Sequence, residues 1–176
     1  MTSPAIVIAT VSLAALCAPA YAEPLADFDA LVAHCQQAFE QRPVVEVAYA
    51  EAANSWVKRL YAPASVAFRV QKTNSRIAPF VGQIEVTEIA SARRGDDEDA
   101  ARALDLSMDE NVVRTVRRIH FAYQDNAWVA LGGTVVIEVK RDAGDPYSIA
   151  DSIKLSREAV MELKGPIGAC VDANRH

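Results

Sequence analysis

The chain has 176 residues, a formal net charge of −5 and 51% hydrophobic residues. A chain of this length suits one domain with its own core. The negative charge disfavours nucleic-acid binding and simple attachment to anionic lipid, since both require a basic surface.

The first 22 residues predict a cleavable signal peptide, followed by a single domain over residues 23–176. The uncharged apolar stretch over residues 5–18 is too short to cross a bilayer as a helix. It ends near Ala20-Tyr21-Ala22, which matches the A-x-A pattern of a cleavage site. We therefore expect a periplasmic or secreted protein whose mature chain has no transmembrane anchor.

Two helices are expected at the start of the mature chain. Residues 24–41 carry apolar side chains at three- and four-residue spacing, which predicts an amphipathic helix. A second helix is predicted over residues 45–60, because the alanine-rich segment 48–53 favours helix. Residues 45–49 also alternate like a strand, so the start of this element stays open.

The rest of the chain alternates with a period of two and predicts four strands. Gly95 and the acidic residues 96–99 separate the second strand from the third, and Ser156 is positioned to cap a short helix that ends at Lys164. The fold class predicted is α+β, with an antiparallel four-stranded sheet packed on N-terminal helices and a short C-terminal helix. The expected strands lie at residues 65–71, 80–87, 112–124 and 128–141.

The last two strands are expected to form a hairpin whose register is set by their apolar faces. A two-residue turn at Asp125-Asn126 would pair Phe121 with Ala130 and separate the apolar sets. A three-residue loop would pair Phe121 with Leu131 and align them, so we expect that register. A bulge at Gly132-Gly133 is a second way to reset it.

Two cysteines, Cys35 and Cys170, remain after the predicted cleavage. An even count in an oxidising compartment predicts a disulfide between them. The alternative is a reactive thiol at Cys35 beside His34. Neighbouring residues on a helix point about 100° apart, so this adjacency does not make a nucleophile–base pair.

No sequence motif for metal, cofactor or nucleophilic catalysis is present. The chain lacks HExxH, C-x-x-C, G-x-S-x-G and glycine-rich phosphate patterns. The acidic run at residues 96–99 lacks the ligand spacing of an EF-hand and is interpreted as a solvated loop. We therefore expect no cofactor and no metal, and no catalytic residue is assigned.

Four residues of the predicted hairpin are candidates for binding a ligand or partner. Arg114, Arg118 and His120 share the polar side of the third strand, and the expected register adds Trp128 from the fourth. Arginine and tryptophan are enriched at binding hot spots. The alternative is an ordinary exposed face with one tryptophan.

The sequence favours a non-enzymatic binding or accessory module of the bacterial cell envelope. Its partner would be a protein or a small ligand of the envelope. One alternative is a small envelope hydrolase assembled from dispersed residues, including His120. The other is a structural subunit of an envelope complex.

Overall fold

The computed structural model describes residues 22–172. The predicted signal peptide lies outside these residues, apart from Ala22. Along the described chain the elements are α1 (Ala22–Glu40), β1 (Val45–Ala50), β2 (Ser55–Tyr61), β3 (Ser65–Lys72), β4 (Phe80–Gly95), α2 (Glu98–Ala103), β5 (Val112–Gln124), β6 (Ala127–Lys140), β7 (Ser148–Leu155), α3 (Arg157–Met161) and α4 (Pro166–Asp172).

The described strands form one antiparallel seven-stranded sheet in the order β1-β2-β4-β5-β6-β7. The long strand β4 pairs with β5 on one side. On its other side, β3 pairs with Phe80–Thr87 and β2 with Ala90–Gly95. The predicted four-stranded sheet on N-terminal helices is therefore wrong, because the protein is mostly β.

The predicted second helix is in fact the hairpin β1–β2. Its alanine-rich segment forms only a short 3₁₀ turn, Glu51–Ala53, followed by Asn54 in the left-handed region with φ 45°. The flanking residues are rich in β-branched and aromatic side chains, which fit a pleated strand. Pairing of β2 with the second half of β4 overrides the weak helix preference of alanine.

The C-terminal segment differs from the sequence prediction in two ways. Residues Ser148–Leu155 form the unpredicted edge strand β7, and the predicted helix splits into α3 and α4. The cap is confirmed, since Ser156 Oγ accepts a hydrogen bond from the Ala159 backbone at 3.2 Å. Gly165, with φ 66°, separates the two helices in a conformation that suits glycine.

The hairpin β5–β6 has the two-residue turn and not the expected three-residue loop. Phe121 pairs with Ala130, and the register shifts between His120 and Phe121. Asp125 and Asn126 both have positive φ, which is typical of a type I′ hairpin turn. The expected irregularity beside Gly132 places Val135 and Ile137 on the same side of the sheet as Phe121, whereas Leu131 is left 47% exposed.

The core lies between one face of the sheet and the helices α1, α3 and α4. Phe28 of α1 contacts the Trp128 ring at 4.5 Å between centroids and the Phe121 ring at 5.6 Å. A Cβ at Gly82 would lie 2.5 Å from the Phe28 ring, so glycine is what allows α1 this close to β4. The predicted disulfide is present, and Cys35–Cys170 joins α1 to α4.

Candidate functional site

Three of the four predicted binding residues lie on one face of β5. His120 is exposed, whereas Arg114 and Arg118 are half-buried and already paired with carboxylates. Arg118 Nε donates to Glu85 at 2.5 Å, and Arg114 Nε donates to Glu138. The hydrogen bond to Glu138 raises the pKa of Arg114, and the same bond lowers the pKa of Glu138. Because both arginines are neutralised, this face has little net attraction for an anion.

Trp128 does not belong to that face. Its side chain is 2% exposed in the core, and its indole N–H donates to the Pro24 carbonyl at 2.8 Å. The two-residue turn places it opposite Tyr123 and away from His120. The expected association of Trp128 with the polar face is therefore wrong, and binding by the other three residues stays a prediction.

A second cluster of charged residues lies on the helix-covered face, where the apolar pattern of β4 and β5 stops. Ile84 and Val86 are fully buried, and Glu88 follows in the same alternation. Arg117 lies directly opposite Val86 in the register. Strand geometry therefore aims Glu88 and Arg117 into the space beneath α1.

Glu88 joins two arginines. One carboxylate oxygen accepts a hydrogen bond from Arg42, in the turn after α1, and the other accepts one from Arg117 of β5. The exposed fractions of the side chains are 10% for Arg42, 15% for Glu88 and 25% for Arg117. Such a largely buried charge triad is costly unless its members compensate one another.

Arg42 is also held by an aromatic ring and a backbone carbonyl. Its guanidinium carbon lies 3.8 Å from the centre of the Tyr61 ring, within cation–π range. Its second terminal nitrogen donates to the Ala62 carbonyl at 3.4 Å. The Tyr61 hydroxyl donates to Glu46 at 2.8 Å, so hydrogen bonds hold both stacked side chains, Arg42 and Tyr61, in place.

These side chains border a cavity of about 360 Å³ that we call the arginine cleft. The cleft lies between the end of α1, the sheet and the start of α4. Besides Gln41, its polar lining consists of Tyr61 and five charged residues, Arg42, Glu46, Glu88, Arg117 and Lys164. Three of the charged side chains are cationic and two are anionic, so the cleft has an excess of positive charge in a protein of net charge −5.

Burial dominates the electrostatics of the cleft. It lowers the pKa of Arg117, which Arg42 lowers further, and it lowers the pKa of Arg42. Burial, followed by the hydrogen bond to Glu46, raises the pKa of Tyr61 to about 12. A guanidinium keeps its proton in proteins, so Arg42 and Arg117 remain charged and benefit from any further anion nearby.

The arrangement is suited to holding an anion. Arg117 has five N–H donors in a planar fork, and its hydrogen bond among the described residues goes to Glu88.

Within residues 22–172, no group of three or more His, Cys, Asp or Glu side chains is placed to hold a metal ion. None of the helices described is both long enough and apolar enough to cross a membrane.

Sequence reasoning missed the arginine cleft, although two signals point to it. Glu88 and Arg117 are charged residues in phase with apolar, buried positions of their strands. A charge that interrupts a buried face in this way requires a partner. Arg42, Glu46, Tyr61 and Lys164 carry no such signal, because they reach the cleft from separate turns and strands.

Comparison of the chain with protein-family models, with curated proteins and with solved structures found no match.

Proposed function

We propose that the chain is an exported binding module of the cell envelope and that it takes a small anionic ligand in the arginine cleft. The observation that carries the proposal is Arg117, a largely buried guanidinium that borders the cleft and shares its counter-ion with Arg42. Glu88 is the carboxylate that both guanidiniums hydrogen-bond, and even with Glu46, which also attracts Arg42, the lining has three cations against two carboxylates and keeps one net positive charge. A bound anion would supply the missing counter-charge.

Lys164 supplies the second cation for such a ligand. It is exposed, borders the cleft just before α4, and has no polar partner among the residues described. Arginine combined with lysine suits a carboxylate or phosphate group, since both donate charge-assisted hydrogen bonds. The Arg42–Tyr61 stack forms a rigid wall, which lowers the entropic cost of binding.

Export is supported by the disulfide and by the leader pattern. A disulfide that joins α1 to α4 is the kind of bond that persists in oxidising compartments. The A-x-A pattern at residues 20–22 is typical of a cleaved signal peptide. Together they favour the periplasm or the exterior as the place where the ligand is bound.

The proposal is tested by titrating the protein with succinate and with inorganic phosphate, followed by amide chemical shifts. We expect saturable shifts around the cleft and an affinity that falls about fivefold in Lys164→Gln, as for loss of one exposed charged contact. Lys154→Gln, an exposed lysine of β7, is the matched control and should leave the affinity unchanged. The proposal is wrong if neither anion saturates, or if both variants bind like the wild type.

A protein partner on the polar face of β5 is the second candidate. Its supporting observation is a shallow depression of about 570 Å³ that Arg118 and His120 border together with Phe68. If this face binds a protein, Arg118→Ala with His120→Ala should abolish a defined complex isolated by cross-linking in the envelope. Arg94→Ala, an exposed arginine near the far end of β4, should not. Equal cross-linking by both variants would remove this candidate.

A further inference from the structure

A second cavity of about 260 Å³ adjoins the arginine cleft. The two cavities share Arg42, Pro43 and Tyr61 in their walls. Its other walls are mainly apolar and include Phe39, Val44, Pro63 and Ala64. We call this second cavity the apolar pocket.

We propose that the ligand is an anionic amphiphile whose charged head binds Arg117 and Lys164 and whose apolar part lies in the apolar pocket. This inference rests on the proposed function and adds the chemical class of the ligand. The simplest molecule of this class is a straight-chain alkyl carboxylate.

The cations that bind the head group are those that have few hydrogen-bond partners within the protein. Arg42 hydrogen-bonds Glu88 and Ala62 and stacks on Tyr61, so its fork is occupied. Arg117 has one hydrogen-bond partner and Lys164 has none among the residues described. The head group therefore belongs beside Arg117 and Lys164, while the stacked Arg42 and Tyr61 border both this site and the apolar pocket.

The lining of the apolar pocket supports a tail and not a second anionic group, because Glu40, its one charged residue besides the shared Arg42, would repel such a group. Val44 at its rim is 64% exposed, so its apolar side chain is open to contact with a ligand. Each cavity is close to the lower end of the size range of ligand sites, about 300 Å³. Together they suit one small molecule with a polar end and an apolar end.

The inference is tested by measuring the affinity of the full mature protein for alkyl carboxylates from acetate to octanoate by isothermal titration calorimetry. Each methylene that enters the apolar pocket should raise the affinity about two- to fourfold. The affinity should stop rising once the alkyl chain is longer than the apolar pocket can hold. The corresponding alkyl ammonium ions, which carry the opposite charge, should bind at least tenfold more weakly.

Two neighbouring valines offer a matched pair of variants. Val44→Asp places a charge at the rim of the apolar pocket and should flatten the rise with chain length, leaving the affinity for acetate within about twofold. Val45→Asp adds the same charge at a position that is 47% exposed and lies outside both cavities, so the rise should persist. Both side chains are exposed, so neither change empties the core.

The outcomes separate this inference from the proposed function. Affinity that is independent of chain length, with acetate and phosphate still bound, overturns the amphiphile and leaves the small-anion site. Absence of binding by every carboxylate and by phosphate overturns both, whereas binding of phosphate alone overturns only the amphiphile. A rise with chain length that Val44→Asp does not alter also overturns the inference, because the tail would then lie elsewhere.

Discussion

Glu88 accepts hydrogen bonds from Arg42 and Arg117 on separate carboxylate oxygens, and the three side chains are largely withdrawn from water. A buried ion pair contributes little net stability while intact, but loss of one partner leaves an uncompensated charge. Here the guanidiniums of Arg42 and Arg117 share the carboxylate of Glu88 as their hydrogen-bonding counter-charge. The free energy of unfolding should therefore respond strongly to replacement of Glu88.

Glu88→Gln should lower the free energy of unfolding by about 3 kcal/mol, the lower end of the range for breaking a buried pair, because both guanidiniums keep some contact with water. Urea denaturation measures the change. Glu85→Gln, which breaks the more exposed pair with Arg118, is the control and should cost less than about 1 kcal/mol. Equal losses in the two variants would show that Glu88 has no special role.

Tyr61 should make stability depend on alkaline pH. Its pKa is raised to about 12 in the folded state, chiefly by burial, against about 10 in the unfolded chain. Between these values the folded state binds more protons than the unfolded state, so stability is full below pH 10 and falls as pH rises towards 12. Urea denaturation of the wild type should show this decline, and Tyr61→Phe should reduce it. Tyr49→Phe, an exposed tyrosine, should behave as the wild type.

Helices α1 and α4 are far apart in the sequence but adjacent in the fold, with a separation of 135 residues between their linked cysteines. Both cysteines are fully buried in the core, where Cys35 lies on the apolar stripe of α1. A cross-link over such a long loop restricts the unfolded chain strongly. The disulfide therefore anchors the two helices that frame the arginine cleft.

Replacing both cysteines by alanine should lower the free energy of unfolding by up to about 5 kcal/mol, following the chain-entropy relation for a loop of this length. Denaturation of the wild type with and without reductant provides the control, since the reduced wild type should match the variant. The disulfide has no stabilising role if the oxidised wild type and the variant unfold at the same urea concentration.

The elements that the sequence predicted well are those with strong local signals. The period-two pattern over residues 112–124, the apolar stripe of α1 and the cap at Ser156 each determine their own segment. The hairpin β1–β2 was missed because its alanines favour helix locally, whereas pairing with β4 decides the outcome. Strand β7 was missed because its residues are almost all exposed, which leaves no alternation to detect.

At the scale of the whole molecule, one sheet presents two unlike faces. The helix-covered face holds the apolar core and ends in the arginine cleft, while the other face bears the paired Arg114 and Arg118. Sequence reasoning found the second face because Arg114, Arg118 and His120 alternate along a single strand. It missed the cleft because its lining comes from both ends of the described chain: α1 and the turn after it, four strands, and α4 with the turn before it.

Export is tested by intact mass spectrometry of protein purified from the native host. The mass should correspond to residues 23–176, and reduction should add about two daltons for the two hydrogens gained by one disulfide. A chain that retains residues 1–22 and gains no mass on reduction would contradict export. Protein refolded in vitro under oxidising conditions serves as the mass reference for the disulfide.

The most direct test of the anion site is a crystal structure of the mature protein with hexanoate present above its dissociation constant. We expect a carboxylate within about 3 Å of Arg117 and Lys164, in the range of charge-assisted hydrogen bonds. We also expect an alkyl chain directed past Tyr61 towards Val44. Hexanoate bound instead beside Arg118 and His120, or an arginine cleft that holds only water, would contradict the proposed site.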